Sequence, residues 1–391
     1  MRAARRGRPG RWLLGLLAVL PAVTLAGPAT AAPDRSGADR ARWATRAEAS
    51  YRALQDHLYL GTTGHRLYAE TTPAAPDGNP YSYLWEFREA TQATLDVRAL
   101  PGNHRRYATD VADRFAAIGQ YASTDPAHPG YDSYLPPPLG TDGDLFYDDN
   151  AVVGLSFVDA YRGGRDARML AGAEAAFRTD LRGWDTDPAK TCPGGMHWVE
   201  ASWNTIRAAN VTGLFAELAA NLYAITGERD YLHWAVRAYR WNRSCLMSSP
   251  GLYRNDIADD GSYDDTLWSY NSGAMIGTAA TLYRATGDRH WLSLARGDVR
   301  GAMAYWTSGD RLYDQPAVFN AFLFRDVLPI APGYRSTLDS YAARLWRDNR
   351  DPATGLFRFQ ASNGGAPDPS LPVGTLNQAA AVQLFALLGR A

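Results

Sequence analysis

Two carboxylates stand side by side in the stretch FYDDNAVVGLSFVDAY, as Asp148 and Asp149, where an apolar-faced helix begins. One acid there is enough to cap the helix, because its carboxylate meets free backbone N–H groups and the positive end of the dipole. Two adjacent acids in a desolvated cleft repel, so one pKa rises and the other falls. A carboxylic acid beside a carboxylate is the pair that glycoside hydrolysis needs. Spacing alone leaves catalysis and capping with ligand binding both open. It also leaves the stereochemistry open, since neighbouring side chains leave a helix about 100° apart and rotamers set the carboxyl separation.

Other chemistry-bearing residues are more scattered. Glu86 and Glu200 lie near expected helix starts and are rival acids. His197, in GGMHWVE, falls in an expected cleft loop, where a ligand contact and a structural role are equally open. The seven histidines, His128 among them, show no zinc-type spacing. YRNDIADDGSYDDT holds five Asp but lacks the order and terminal Glu of a calcium loop, so it reads as a solvated loop with at most one ligand-binding acid. G-x-S-x-G, P-loop and dinucleotide fingerprints are absent. No metal and no organic cofactor are expected.

A repeat supplies the elements that must position these groups. LYAITGERDYLHWA (222–235) aligns with LYRATGDRHWLSLA (282–295), and weaker copies start at residues 160 and 99. Their central glycines, Gly102, Gly164, Gly227 and Gly287, recur at intervals of 62, 63 and 60 residues. Each is placed to end a helix in the left-handed conformation that costs glycine little. A second helix follows at once, with Leu232, Ala235, Val236 and Tyr239 as its apolar stripe.

The other connections, near 59–82, 122–144, 184–202, 247–266, 306–316 and 350–372, are long and rich in Gly, Pro, Asp and Tyr. About twelve helices result. Those at 38–57, 103–120, 166–182, 229–245, 289–304 and 334–348 would be outer. Those at 83–100, 147–162, 204–226, 267–286, 317–330 and 374–389, richer in small and apolar residues, would be inner. Strand signals are sparse. Six helical hairpins with long loops on one side predict an all-α (α/α)6 toroid rather than an open solenoid.

Closure would gather the starts of the inner helices at one end of the ring. They read YLWEF, FYDDN, EASWNT, LWSYN, VFNAF and TLNQ, more aromatic, amide and acidic than a plain core requires. A concave site with aromatic platforms and hydrogen-bonding groups suits a carbohydrate. The candidate contacts are Trp85, Tyr147, Asn150, His197, Trp198, Tyr270 and Asn271, around a catalytic pair at Asp148 and Asp149.

Arg2, Arg5, Arg6, Arg8 and Arg11 precede the apolar run WLLGLLAVLPAVTLA and the small-residue segment ATAAPD, the pattern of a secretory signal peptide over residues 1–32. The expected organisation is that peptide followed by one catalytic domain over 33–391. Removing 1–32 takes away five arginines and no acid, moving the formal charge from −1 to −6. A mildly acidic chain argues against nucleic acid as a partner. No later segment is long and apolar enough for stable membrane insertion. A secreted monomer acting on a polysaccharide is expected. In an exported chain Cys192 and Cys245 could pair or remain buried thiols, and the sequence leaves both open.

The segments YSYLWEF, FYDDNAVVGLSFVDAY, CPGGMHWVEASW, GLYRND, WSYNSGAMIGTAATLYRATGD and VFNAFLFR, in that order, resemble glycoside hydrolase family 76, the α-1,6-mannanases. The resemblance covers about 80–390. It implies an (α/α)6 fold and retaining, endo-type cleavage of α-1,6-mannosidic bonds, with Asp148 as nucleophile and Asp149 as acid/base. By position it also implies Asp256 as a sugar-binding acid. The chain departs from the family pattern at Ser272, at the His197-Trp198 pair and at Val211-Thr212-Gly213. Transglycosylation on a mannan, or sugar binding without catalysis, are the competing readings.

Overall fold

The computed structural model describes residues 35–390 apart from residue 77. The signal-peptide reading of 1–32 therefore lies outside the described residues. Ser36–Ala391 forms one compact unit.

Its helices are α1 (Arg35–His57), α2 (Leu84–Arg98), α3 (Ala108–Ile118), α4 (Tyr147–Gly164), α5 (Ala167–Leu181), α6 (Ala209–Thr226), α7 (Arg229–Cys245), α8 (Ser269–Thr286), α9 (Arg289–Trp306), the short α10 (Arg311–Asp314), α11 (Ala317–Val327), α12 (Arg335–Arg344) and α13 (Thr375–Gly389). A π turn, Leu345–Asn349, extends α12. Inner helices α2, α4, α6, α8, α11 and α13 each pack on the next, and α13 packs back on α2, which closes the ring. The remaining long helices lie outside. The (α/α)6 expectation and its inner–outer assignment match this arrangement.

Composition explains the two layers. α6, α8 and α13 are buried nearly all round and carry apolar or small residues on every face. Gly273 on α8 lets the backbone of α11 approach closely: a Cβ there would lie 3.0 Å from the Leu323 backbone. Outer α7 buries one stripe, centred on Tyr231, Ala235, Ala238, Tyr239 and Asn242. Leu232 and Val236, expected on that stripe, are only half-buried at its edge.

The tight turns behave as the repeat predicts at Gly227 and Gly287, which cap α6 and α8 with φ of 75° and 73°. Two sites differ: Gly102 takes φ 83° but lies past the end of α2, whose cap is Ala99, and Gly164 does not take the cap position. Gly164 is the last residue of α4, and Arg165 takes the left-handed position with φ 55°.

The long connections carry more order than the sequence suggested. β2 (Ile206–Ala208), β3 (Met247–Ser249), β4 (Leu252–Ala258) and β5 (Tyr263–Leu267) form a small antiparallel sheet in which β4 pairs with the other three. β1 (Thr71–Thr72) pairs with β6 (Val373–Gly374). The Asp-rich segment read as a loop is thus the β4–β5 hairpin. β5 is almost wholly exposed and β4 buries residues in pairs rather than alternately, so neither shows the period-2 pattern that marks a strand.

A disulfide joins Cys192 to Cys245, with Cα atoms 6.0 Å apart, and ties the 184–202 connection to the end of α7. Closing a 53-residue span removes about 4 kcal/mol of unfolded-chain entropy in the chain-entropy account. Among the described residues, no helix is long and apolar enough to cross a membrane.

Candidate active site

The mouth of the ring holds a cavity of ≈ 390 Å³. Residues at or just before the N-termini of α2, α4, α8, α11 and α13 line it: Tyr83, Trp85 and Glu86; Phe146, Asp148 and Asp149; Tyr270; Pro316, Val318 and Phe319; Leu376. Loop residues Ser133, Trp198 and Asn363 complete the wall. The α6 start contributes indirectly, through Asn210.

Backbone pairing aims the aspartates. Just before α4 the chain is extended and pairs with the strand-like segment around Val199: Tyr147 N donates to Trp198 O at 3.0 Å, and Glu200 N to Leu145 O at 2.8 Å. Asn150 then locks the entry. Its Oδ1 accepts from Tyr131 N at 2.9 Å, while Nδ2 donates to Tyr131 O and Phe146 O at 2.9 and 2.8 Å.

The two acids meet different surroundings. Asp148 accepts three hydrogen bonds: Asn210 Nδ2 at 2.7 Å and Trp198 Nε1 at 3.1 Å on Oδ2, and Asp149 N at 3.2 Å on Oδ1. These donors favour its charged form, and burial opposes them and prevails, lifting its pKa to about 6. No hydrogen-bond donor serves the Asp149 side chain among the described residues. Burial, then the charges of Asp148, Glu86 and Glu89, push its pKa well above the carboxylate range. Asp148 therefore ionises before Asp149. Glu86 is a third cavity acid, lifted to about 8 by burial and then by Glu70, and its buried Oε2 has no partner among the described residues.

Of the sequence-expected contacts, Trp85, Trp198 and Tyr270 line the cavity, with Tyr270 stacked on Phe319 at 3.9 Å between centroids. The other five do not line it. Tyr147, next to Asp148 on the helix, faces outward: its ring packs at Gly183 and its phenol faces Glu200. Asn150 spends its amide on the backbone clip. Asn271 is fully buried inside the ring, its side chain without a hydrogen-bond partner among the described residues. His197 is turned toward Asn204, whose Nδ2 lies 2.9 Å from its Nδ1, and toward Asp185; burial lowers its pKa. Asp256 sits on β4, where Asn255 Nδ2 donates to it at 2.8 Å, and burial followed by Asp264 raises its pKa.

The rival Glu200 is engaged elsewhere, accepting from Arg182 Nη2 at 2.8 Å and Nε at 3.3 Å. The hairpin acids are also tied: Asp259 to Lys190, Asp260 to Ser262, Asp264 to Asn255 and Asp265 to Arg254. Among the described residues, no group of three or more His, Cys, Asp or Glu is arranged to hold a metal ion.

Sequence reasoning named neither Asn210 nor the cavity residues Tyr83, Ser133, Phe146, Pro316, Val318, Phe319, Asn363 and Leu376. The α6 start was expected near residue 204, which put Asn210 well inside the helix. The helix begins at Ala209, which puts Asn210 in the first turn, facing the pair.

Glycosyl hydrolase family 76 is the family whose sequence pattern matches residues 42–356. Two mannan endo-1,6-alpha-mannosidases are similar, that of Saccharomyces cerevisiae at 29% identity over 35% of this chain and 32% of its own length, and that of Candida glabrata at 31% over 30% and 28%. The chain thus spans about a third of the length of the curated relatives it matches. A family 76 mannosidase structure from Bacteroides thetaiotaomicron shares the fold with a TM-score of 0.78 at 23% identity, covering 89% of this chain and 98% of that one. So does an inactive variant of an α-1,6-mannanase from Salegentibacter, solved with α-1,6-mannotriose: TM-score 0.72, 20% identity, 89% and 99% coverage.

Proposed function

The chain belongs to glycosyl hydrolase family 76, and from that premise we propose that it cleaves α-1,6-mannosidic bonds inside mannan-type polysaccharide, with retention. The observation that carries the reading is the unlike environment of two adjacent acids in one cavity. Asp148 has three donors that favour its charged form; Asp149 has none, and burial followed by the charge of Asp148 favours its protonated form. In the first step an Asp148 oxygen attacks the anomeric carbon while Asp149 passes its proton to the departing glycosidic oxygen. In the second, Asp149, now a carboxylate, takes a proton from water as that water attacks the anomeric carbon and releases Asp148. Trp85, Trp198 and Tyr270 offer aromatic faces to the sugar. The curated relatives are named for this activity, and the Salegentibacter mannanase was solved inactive with two adjacent aspartates replaced by asparagine. The N-terminal pattern and the disulfide support action outside the cell.

Incubating the protein with debranched α-1,6-mannan tests the reading. Short mannooligosaccharides are expected from the wild type, with a loss of 10³-fold or more in Asp148→Asn, as removal of an essential catalytic group gives. No products, or equal products from both proteins, would reject it. The apolar wall of Pro316, Val318, Phe319 and Leu376 favours one second reading, transfer of the glycosyl group to a sugar acceptor instead of water. Products longer than the substrate would identify it.

A further inference from the structure

Trp203 is the most exposed large hydrophobic residue described, at 53%. A solitary surface ring needs no explanation. Trp203 is not solitary. Its centroid lies 6.2 Å from Phe146 and 6.4 Å from Trp198, which are themselves 4.9 Å apart and both line the cavity. The three rings make a continuous aromatic path from the cavity wall to solvent.

The outermost ring is fixed in place. Trp203 Nε1 donates to Asp144 Oδ2 at 3.1 Å. Asp144 O in turn accepts from the N–H of Ser133, a cavity residue, at 2.9 Å. A short turn holds the loop: Asn204 N donates to Ala201 O at 3.1 Å, and the Asn204 side chain bonds Trp198 N and Ile206 O. An indole anchored by its polar edge keeps its face available and loses little freedom when something lands on it. The other exposed rings differ. Tyr263 already carries the Arg254 guanidinium 4.8 Å from its centroid, and Tyr83 belongs to the cavity.

A pyranose has an apolar C–H face that suits such a ring. The cavity, at ≈ 390 Å³, is near the small end of ligand sites (~300–1,000 Å³), so it holds only a short piece of a polysaccharide. We propose that Trp203 is a stacking platform for a further sugar of the same chain, outside the cavity, and that it sets a preference for longer substrates. The proposal rests on the mannan-cleaving reading.

The test compares wild type, Trp203→Ala and Trp203→Phe on α-1,6-mannotriose and α-1,6-mannohexaose. In Trp203→Ala the ratio of kcat/KM on hexaose to that on triose should fall about 10-fold, mainly through KM, the change that ~1.4 kcal/mol of binding makes. Trp203→Phe should keep most of the ratio. A ratio unchanged in Trp203→Ala, whether both activities stay whole or fall together, overturns the platform while leaving the mannanase reading in place. A wild type that cleaves neither oligosaccharide overturns both.

Discussion

At the residue scale, Asp148 and Asp149 are adjacent in sequence and equally buried, yet unlike in hydrogen bonding. Burial raises both pKa values. Only Asp148 has donors to resist the rise, and Asn210 is the closest of them. Its loss should be visible in the pH profile. In its proposed role Asp148 must be ionised to attack, so kcat/KM should fall as pH drops through about 6. A hydrogen bond to a charged group contributes ~1.5–3 kcal/mol, and one pKa unit is about 1.4 kcal/mol. Asn210→Leu should therefore move that acid limb upward by roughly one pH unit or more. A kcat/KM profile measured from pH 4 to 9 checks this, and an unmoved limb would show that Asn210 does not govern the nucleophile. The pair itself was legible in the sequence as an awkward charge repulsion. Its asymmetry was not, because Trp198 and Asn210 lie 50 and 62 positions away and only the closed ring brings them to Asp148.

At the element scale, the ring was the most legible feature. Tight turns at near-constant spacing alternate with long connections, and the inner helices carry small residues where neighbours approach. Both signals are local and survive in one dimension. Strand pairing is not local in this sense. β4 pairs with β2 across some fifty residues, as in Arg207 opposite Ile257, and its sequence lacks alternation. The same difficulty leaves expected contacts outside the cavity lining. Tyr147, Asn150 and Asn271 sit at helix starts, as expected, but 3.6 residues per turn aims neighbours in different directions. Asp148 and Asp149 face the cavity while Tyr147 and Asn150, on either side, secure the helix to its surroundings. Knowing that a residue lies at the mouth of the ring does not tell which way it faces.

At the scale of the whole molecule, the ring interior is crowded with carboxyls that resist ionisation. Besides the proposed catalytic pair, Glu86 is lifted to about 8 and Glu217 to about 7, in each case chiefly by burial, and Asp326 on α11 and Asp180, buried on outer helix α5, are raised as well. Each binds its proton more tightly folded than unfolded. Stability should then fall as pH rises from the ordinary carboxylate range, near 4, through these raised values. Asp96 runs the other way, held below its usual range by Arg325 and Arg390 against the cost of burial, so its contribution is lost only in stronger acid. Thermal melts should accordingly give a Tm several degrees higher at pH 5 than at pH 8, and a flat or reversed trend would mean that these groups are ionised in the fold. The proposed mechanism needs two neighbouring carboxyls in opposite protonation states. Leaving-group dependence tests that most directly. A general acid is needed only when the departing oxygen is a poor leaving group. In kcat/KM, which reports the first step, Asp149→Ala should thus lose at least 10³-fold on α-1,6-mannan and much less on an aryl α-mannobioside with an activated phenolate, whereas Asp148→Ala should be inactive on both. Equal losses for the two variants on the activated substrate, or the reverse order, would contradict the assignment.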